Sequence, residues 1–231
     1  MIRKTRILGF LFLVMTVACE KSPDRLNETV VLVHGMGRTR VSMSLLKTRL
    51  EKARYTVVNF PYSPHNESLD TITDNLQKFV QDNVQTKQYH LIGHSLGNII
   101  IRNAFKHSLK PGLGRIVMLA PPNNPAYLAG LLKENRLYRW FSGDSGQKLS
   151  SPEFYATLPV PTVEFGVIAG DRGQKLTFEE PNDGIVTVES TKLCGMKDWI
   201  LLHHTHTFMM NSGDTAEQCV HFLQTGNFIK K

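Results

Sequence analysis

The sequence contains no apolar run of the roughly 20 residues that a membrane-spanning helix requires, no long block of like charge, no low-complexity tract and no internal repeat. These gaps exclude a charged interaction tail, a disordered biased chain and a repeat array. The formal charge of +7 is not gathered into a basic stripe with interleaved aromatics, so the chain is not read as binding nucleic acid. Cysteine is scarce, with only Cys19, Cys194 and Cys219. No spaced Cys/His pairs of the structural zinc type occur. No linker separates two regions, and 231 residues fill one domain with a full core where two would be cramped.

What is present begins with a distinct leader. Arg3, Lys4 and Arg6 precede an apolar stretch over 7–17, and Ala18 stands before Cys19. A positive start, a short apolar middle and a small residue at the cut make a secretory signal peptide over 1–18, the alternative being an anchor helix that stays attached. Thr16-Val17-Ala18-Cys19 resembles a bacterial lipobox, with Thr16 where leucine is usual. That resemblance implies lipidation of Cys19 and anchoring to a membrane of the bacterial cell envelope. Without it, the chain is expected in the periplasm or outside the cell. Residues 19–28 form a polar link, and Cys194 and Cys219 remain to pair or stay free.

From residue 29 onward, strand and helix patterns alternate. Continuous apolar or β-branched runs over 29–33, 55–60, 89–92, 115–120, 163–169 and 199–202 read as buried strands. Helices are expected over 42–53, 69–84, 96–105 and 215–223, the second with apolar positions Leu69, Ile72, Leu76, Val80 and Val84. This alternation predicts a single α/β domain over 29–231, with a mostly parallel sheet and helices on both faces. The rhythm breaks over 123–161, where a further apolar helix is expected at 126–141.

Gly93-His94-Ser95-Leu96-Gly97 fits G-x-S-x-G between an expected strand and an expected helix. In that setting the pattern is a nucleophile elbow, a tight turn that presents the serine beside a helix N-terminus. His34-Gly35-Met36-Gly37 comes after the first strand. Together the two segments resemble the α/β-hydrolase lipases and esterases of bacteria, over almost the whole chain after the leader. The resemblance implies that Ser95 is the nucleophile and that the backbone N–H groups of Met36 and Leu96 bind the oxyanion.

A serine hydroxyl needs a base and an acid to orient it, in the chain order Ser, Asp or Glu, His. Asp171, after the fifth strand, and Asp183, in Asn182-Asp183-Gly184-Ile185-Val186, compete for the acid. The second stretch is similar to the one that carries the acid in bacterial lipases, which favours Asp183. The base comes from His203-His204-Thr205-His206. Relatives place threonine and a bulky apolar residue after the catalytic histidine, which favours His206 over His204. The H-x-H spacing of His204 and His206 also admits a metal, but no cysteine or carboxylate nearby completes a set, so no metal is expected.

Tyr127, Leu128, Leu131, Leu132, Leu137, Tyr138, Trp140 and Phe141 would either cover the site as a lid suited to an acyl chain or pack on the sheet. The resemblance implies hydrolysis of a small or lipid-like ester on a Ser95–Asp183–His206 triad, with no cofactor. Acyl transfer by the same triad and a non-catalytic binding role are the rivals.

Overall fold

A computed structural model describes residues 27–64, 67–124, 151–173 and 179–230. The leader, Cys19 and the helix expected at 126–141 lie outside these residues, as do the aromatic and leucine positions of the expected cover.

Six parallel strands form one sheet: β1 (Glu28–Val33), β2 (Thr56–Asn59), β3 (Gln88–His94), β4 (Leu113–Leu119), β5 (Phe165–Gly170) and β6 (Asp198–Leu202), in the order β2-β1-β3-β4-β5-β6. Among the described residues five α-helices accompany it: α1 (Ser44–Lys52), α2 (Leu69–Asn83), α3 (Leu96–Ala104), α4 (Pro152–Thr157) and α5 (Gly213–Thr225). The α/β sheet with helices on both faces is thus observed. Boundaries differ by at most two residues from the sequence pattern. The third strand runs on to His94, so Gly93 is not in the turn, and a 3-10 turn over Arg40–Met43 precedes α1.

The strands are apolar on both sides because each side is covered. Val31, Val33, Leu91, Ile116, Met118 and Val167 face the layer of α2 and α3. The alternate residues Val30, Leu32, Ile92, Val117, Leu119 and Ile168 face α1 and α5. The period of two along each strand puts its two sets of side chains into two separate cores. α2 is half-buried and shows it: Ser68 caps it by accepting from the Thr71 N–H at 3.1 Å, and Leu69, Ile72, Leu76 and Val80 form its inner stripe. α3 is buried on every side, which is why Ile99, Ile100 and Ile101 can stand in succession.

Cys194 and Cys219 are free. Cys219 points from α5 into the core beneath it, whereas Leu193 and Met196, flanking Cys194, pack on the opposite core. The neighbours of Cys194 thus pack on the core opposite the one that buries Cys219, and the two cysteines are unpaired. Cys194 is exposed, while burial raises the pKa of Cys219 far above the ordinary thiol range. Peptide mapping after maleimide treatment of the native protein should therefore find Cys194 modified and Cys219 untouched until denaturant is added. Equal modification under native conditions would contradict this packing.

Candidate active site

The chain leaves β1 towards β2 on one side and returns on the other side for β3 to β6. Such a reversal opens a crevice outside the C-terminal ends of the two strands that flank it, here β1 and β3. The turns that leave those ends carry His34-Gly35-Met36 and Ser95-Leu96.

Ser95 lies at φ 52°, ψ −121°. That is the first central position of a type II′ turn, ordinarily a glycine position. The conformation costs on the order of 1–3 kcal/mol in an L-residue. Fully burying one aliphatic side chain contributes about 1.5–3 kcal/mol, and α3 buries three isoleucines in sequence just beyond, so packing outweighs the strain. The Ser95 N–H donates to the Leu119 carbonyl at 3.0 Å, and the Asn98 side-chain amide donates to the same oxygen at 3.0 Å. These bonds fasten the turn to the end of β4.

The β1 turn rests directly on this elbow. A Cβ on Gly97 would stand 2.3 Å from the Val33 carbonyl oxygen, and one on Gly35 would stand 2.8 Å from His94 Nδ1 and 3.1 Å from Ser95 Cβ. The His34 ring stacks on Tyr62 at 4.1 Å and donates from Nδ1 to the Gly35 carbonyl at 2.9 Å, while the Tyr62 hydroxyl donates to the His34 carbonyl at 2.5 Å. The backbone N–H groups of Met36 and Leu96 meet no acceptor among the described residues. Leu96 opens α3, so its N–H is one of the free donors at a helix N-terminus.

The loop after β5 brings Asp183 to His206. Asp183 Oδ2 accepts from His206 Nδ1 at 2.7 Å, and the Asp183 carbonyl accepts the His206 N–H at 2.9 Å. Asp183 Oδ1 accepts the N–H groups of Ile185 at 3.0 Å and Val186 at 2.7 Å. Both residues are buried, Asp183 at 2% exposure and His206 at 5%. The bond from Nδ1–H fixes the tautomer and leaves His206 Nε2 with its lone pair free to take a proton. His206 and Ser95 are not hydrogen-bonded to each other; such bonds commonly tighten only with substrate present.

The competing residues pair elsewhere. His203 Nδ1 meets Asp171 Oδ1 at 2.9 Å near the surface, and His204 Nε2 meets both Asp214 oxygens at 2.8 and 2.9 Å. Three neighbouring histidines thus face three different carboxylates, which separates them. No group of three or more ligating side chains suited to a metal occurs among the described residues.

Sequence reasoning passed over His94, the variable residue of the pentapeptide. It is 2% exposed, and its Nε2–H donates to the His206 carbonyl at 2.9 Å, with the rings 4.8 Å apart. It ties the elbow to the loop that carries His206. Burial and the neighbouring His206 hold its pKa well below the usual histidine range, so it is neutral. Its identity as histidine was the available signal.

A sequence model described as the alpha/beta hydrolase family matches residues 30–210. Comparison with curated protein sequences gives no match. Among solved structures, the mature form of a lipase from Bacillus licheniformis is 17% identical, with 88% of this chain and 94% of that chain covered and a TM-score of 0.73. An esterase from Exiguobacterium antarcticum is 14% identical, with 86% and 92% covered and a TM-score of 0.62. A bromoperoxidase from Bacillus anthracis is also 14% identical, with 86% and 92% covered and a TM-score of 0.56. At such identities the likeness is one of fold, and these three proteins carry different names on it.

Gly97→Ala should lower stability in urea by at least about 1–3 kcal/mol, because the new methyl meets backbone that cannot move aside; an unchanged midpoint would show that the β1 turn does not rest on the elbow. A second expectation concerns acid. Burial lowers the pKa of His34 and of His94 below the unfolded value of 6.5, so below that pH the unfolded chain binds more protons. Stability is then complete above about pH 6.5 and declines as pH falls. Melting temperature should drop from pH 7.5 to pH 5, and His94→Gln, which keeps a donor and cannot ionise, should flatten that slope.

Proposed function

Because the chain belongs to the alpha/beta hydrolase family, we propose that it is a serine hydrolase that cleaves carboxylic esters through an acyl-enzyme. The observation that carries this reading is the buried pair of Asp183 and His206, joined through the His206 carbonyl to His94, the residue before the strained Ser95. The lipase and esterase among the similar folds support it.

His206 Nε2 takes the Ser95 proton as the oxygen attacks the ester carbonyl carbon. Asp183 holds the imidazole in its tautomer and stabilises the imidazolium that forms. The negative charge moves to the carbonyl oxygen, facing the N–H groups of Met36 and Leu96. One such donor is worth on the order of 100- to 1000-fold in rate. His206 then protonates the departing alcohol. A water attacks the acyl-enzyme by the same proton route, and the acid leaves. The residues of this chain supply every proton transfer in the scheme.

The test is labelling by a fluorophosphonate, with release of free acid from p-nitrophenyl esters measured alongside. Ser95→Ala and His206→Ala should abolish both. Asp183→Asn should slow both by on the order of 10⁴-fold, by loss of the correct tautomer. Asp171→Asn, His203→Ala and His204→Ala should stay active. Labelling that survives Ser95→Ala, or a wild type that is never labelled, would sink the proposal.

A further inference from the structure

The deepest cation of the described residues lies outside the triad. Arg102, on α3 two turns beyond Ser95, is 3% exposed, and no carboxylate pairs with it among the described residues. A buried guanidinium without an anion is costly unless its N–H groups find acceptors in good geometry. Here Nε donates to the Pro159 carbonyl at 3.0 Å, Nη2 to the Leu158 carbonyl at 3.0 Å and Nη1 to Asn123 Oδ1 at 3.1 Å. The rigid, planar fork of an arginine holds these three acceptors at fixed separations. It is thereby pinned on one side to the chain after α4 and on the other to Asn123.

Asn123 passes the constraint on. Its side-chain amide donates to the Thr191 carbonyl at 2.9 Å, and its backbone N–H to the Ser190 carbonyl at 2.9 Å. The hydroxyl of Ser190 donates to the Thr187 carbonyl at 2.9 Å, and that of Thr191 to the Val188 carbonyl at 2.7 Å. Thr187 is bridged to Asn182, and the Val188 N–H returns to the Pro181 carbonyl at 2.9 Å. Asp183 directly follows Asn182. A continuous hydrogen-bonded path therefore joins the helix that presents Ser95 to the loop that presents the acid, and the side chains of Arg102, Asn123, Ser190, Thr191, Thr187 and Asn182 along it are all buried.

We propose that Arg102, acting through Asn123, is a positioning residue that holds the 181–191 loop at the distance from α3 that the triad requires. The inference rests on the hydrolase reading above. The Asp183–His206 bond fixes those two residues to each other, and the Arg102–Asn123 clamp fixes the pair relative to the nucleophile. None of the hydrogen bonds of the path involves Ser95, Met36 or Leu96, so the geometry of proton transfer, and not the binding of substrate, depends on it.

The experiment measures fluorophosphonate labelling of the purified protein as a function of probe concentration. It compares wild type, Arg102→Met, Asn123→Ala, Asp183→Asn and the double variant Arg102→Met/Asp183→Asn. Misplacement of a catalytic group by about 1 Å costs on the order of 100-fold. Arg102→Met and Asn123→Ala should each lower the maximal rate by roughly 10- to 100-fold, with the half-saturating concentration within about threefold of wild type. Once Asp183 is neutralised the clamp has little left to position, so the double variant should label no more than about threefold more slowly than Asp183→Asn alone. Should Arg102→Met fail to fold, Asn123→Ala decides, since it cuts the path and leaves the contacts of Arg102 with Leu158 and Pro159. Folded Asn123→Ala at the wild-type rate, losses that multiply in the double variant, or a change confined to half-saturation would overturn the clamp while wild type remains labelled at Ser95. A wild type that is not labelled would overturn the hydrolase reading, and the clamp with it.

Discussion

Ser95 occupies a backbone conformation that L-residues avoid, at a cost on the order of 1–3 kcal/mol, and the surrounding packing holds it there. The turn after β1 presses on it from one side, the end of β4 accepts its N–H, and burial of α3 on every side anchors the chain just beyond it. Each contact needs a small residue or a polar group at one position. Gly97 lets the β1 backbone approach, Gly35 leaves room for His94, and Asn98 doubles the bond to Leu119. The serine is presented on a rigid turn because every escape from the strain would break a packed contact.

The same rigidity sets the terms for the rest of the site. Parallel strands all end on one edge, so the loops after β1, β3, β5 and β6 converge without any long-range folding of the loops themselves. Three polar devices then fix the loops relative to one another. His94 reaches the His206 carbonyl, His204 ties its loop to Asp214 at the start of α5, and Arg102 with Asn123 joins α3 to the 181–191 loop. The acceptors are backbone carbonyls and the Asn123 amide oxygen in two of these devices and the Asp214 carboxylate in the third. Buried neutral histidines carry a consequence, since acid must charge them in the unfolded chain first. A site built this way keeps its stability near and above neutral pH.

Much of the architecture was legible from the residues in order. The two-sided burial of the strands was readable in residues such as Val30 to Val33, apolar without a break because helices cover both faces. The pentapeptide around Ser95 was legible because its two glycines and serine sit between a strand pattern and a helix pattern. Arg102, by contrast, reads as an ordinary helical arginine, and His94 as a spacer. Their burial depends on elements more than 50 and 100 residues away, at Leu158 and at His206.

The pairing of histidines with carboxylates marks the dividing line most clearly. Local pattern by itself determined the α/β alternation, the elbow and the short list of Asp171, Asp183, His203, His204 and His206. It could not rank that list on physical grounds, because the three histidines lie within four positions of one another and both aspartates come after β5. Only the tertiary structure decided which carboxylate each imidazole meets. The loop closing over the end of β5 buries Asp183 against His206, leaves Asp171 at the surface with His203, and gives His204 to α5. Those distances are set by how loops fold over the strand ends, and no spacing along the chain encodes them.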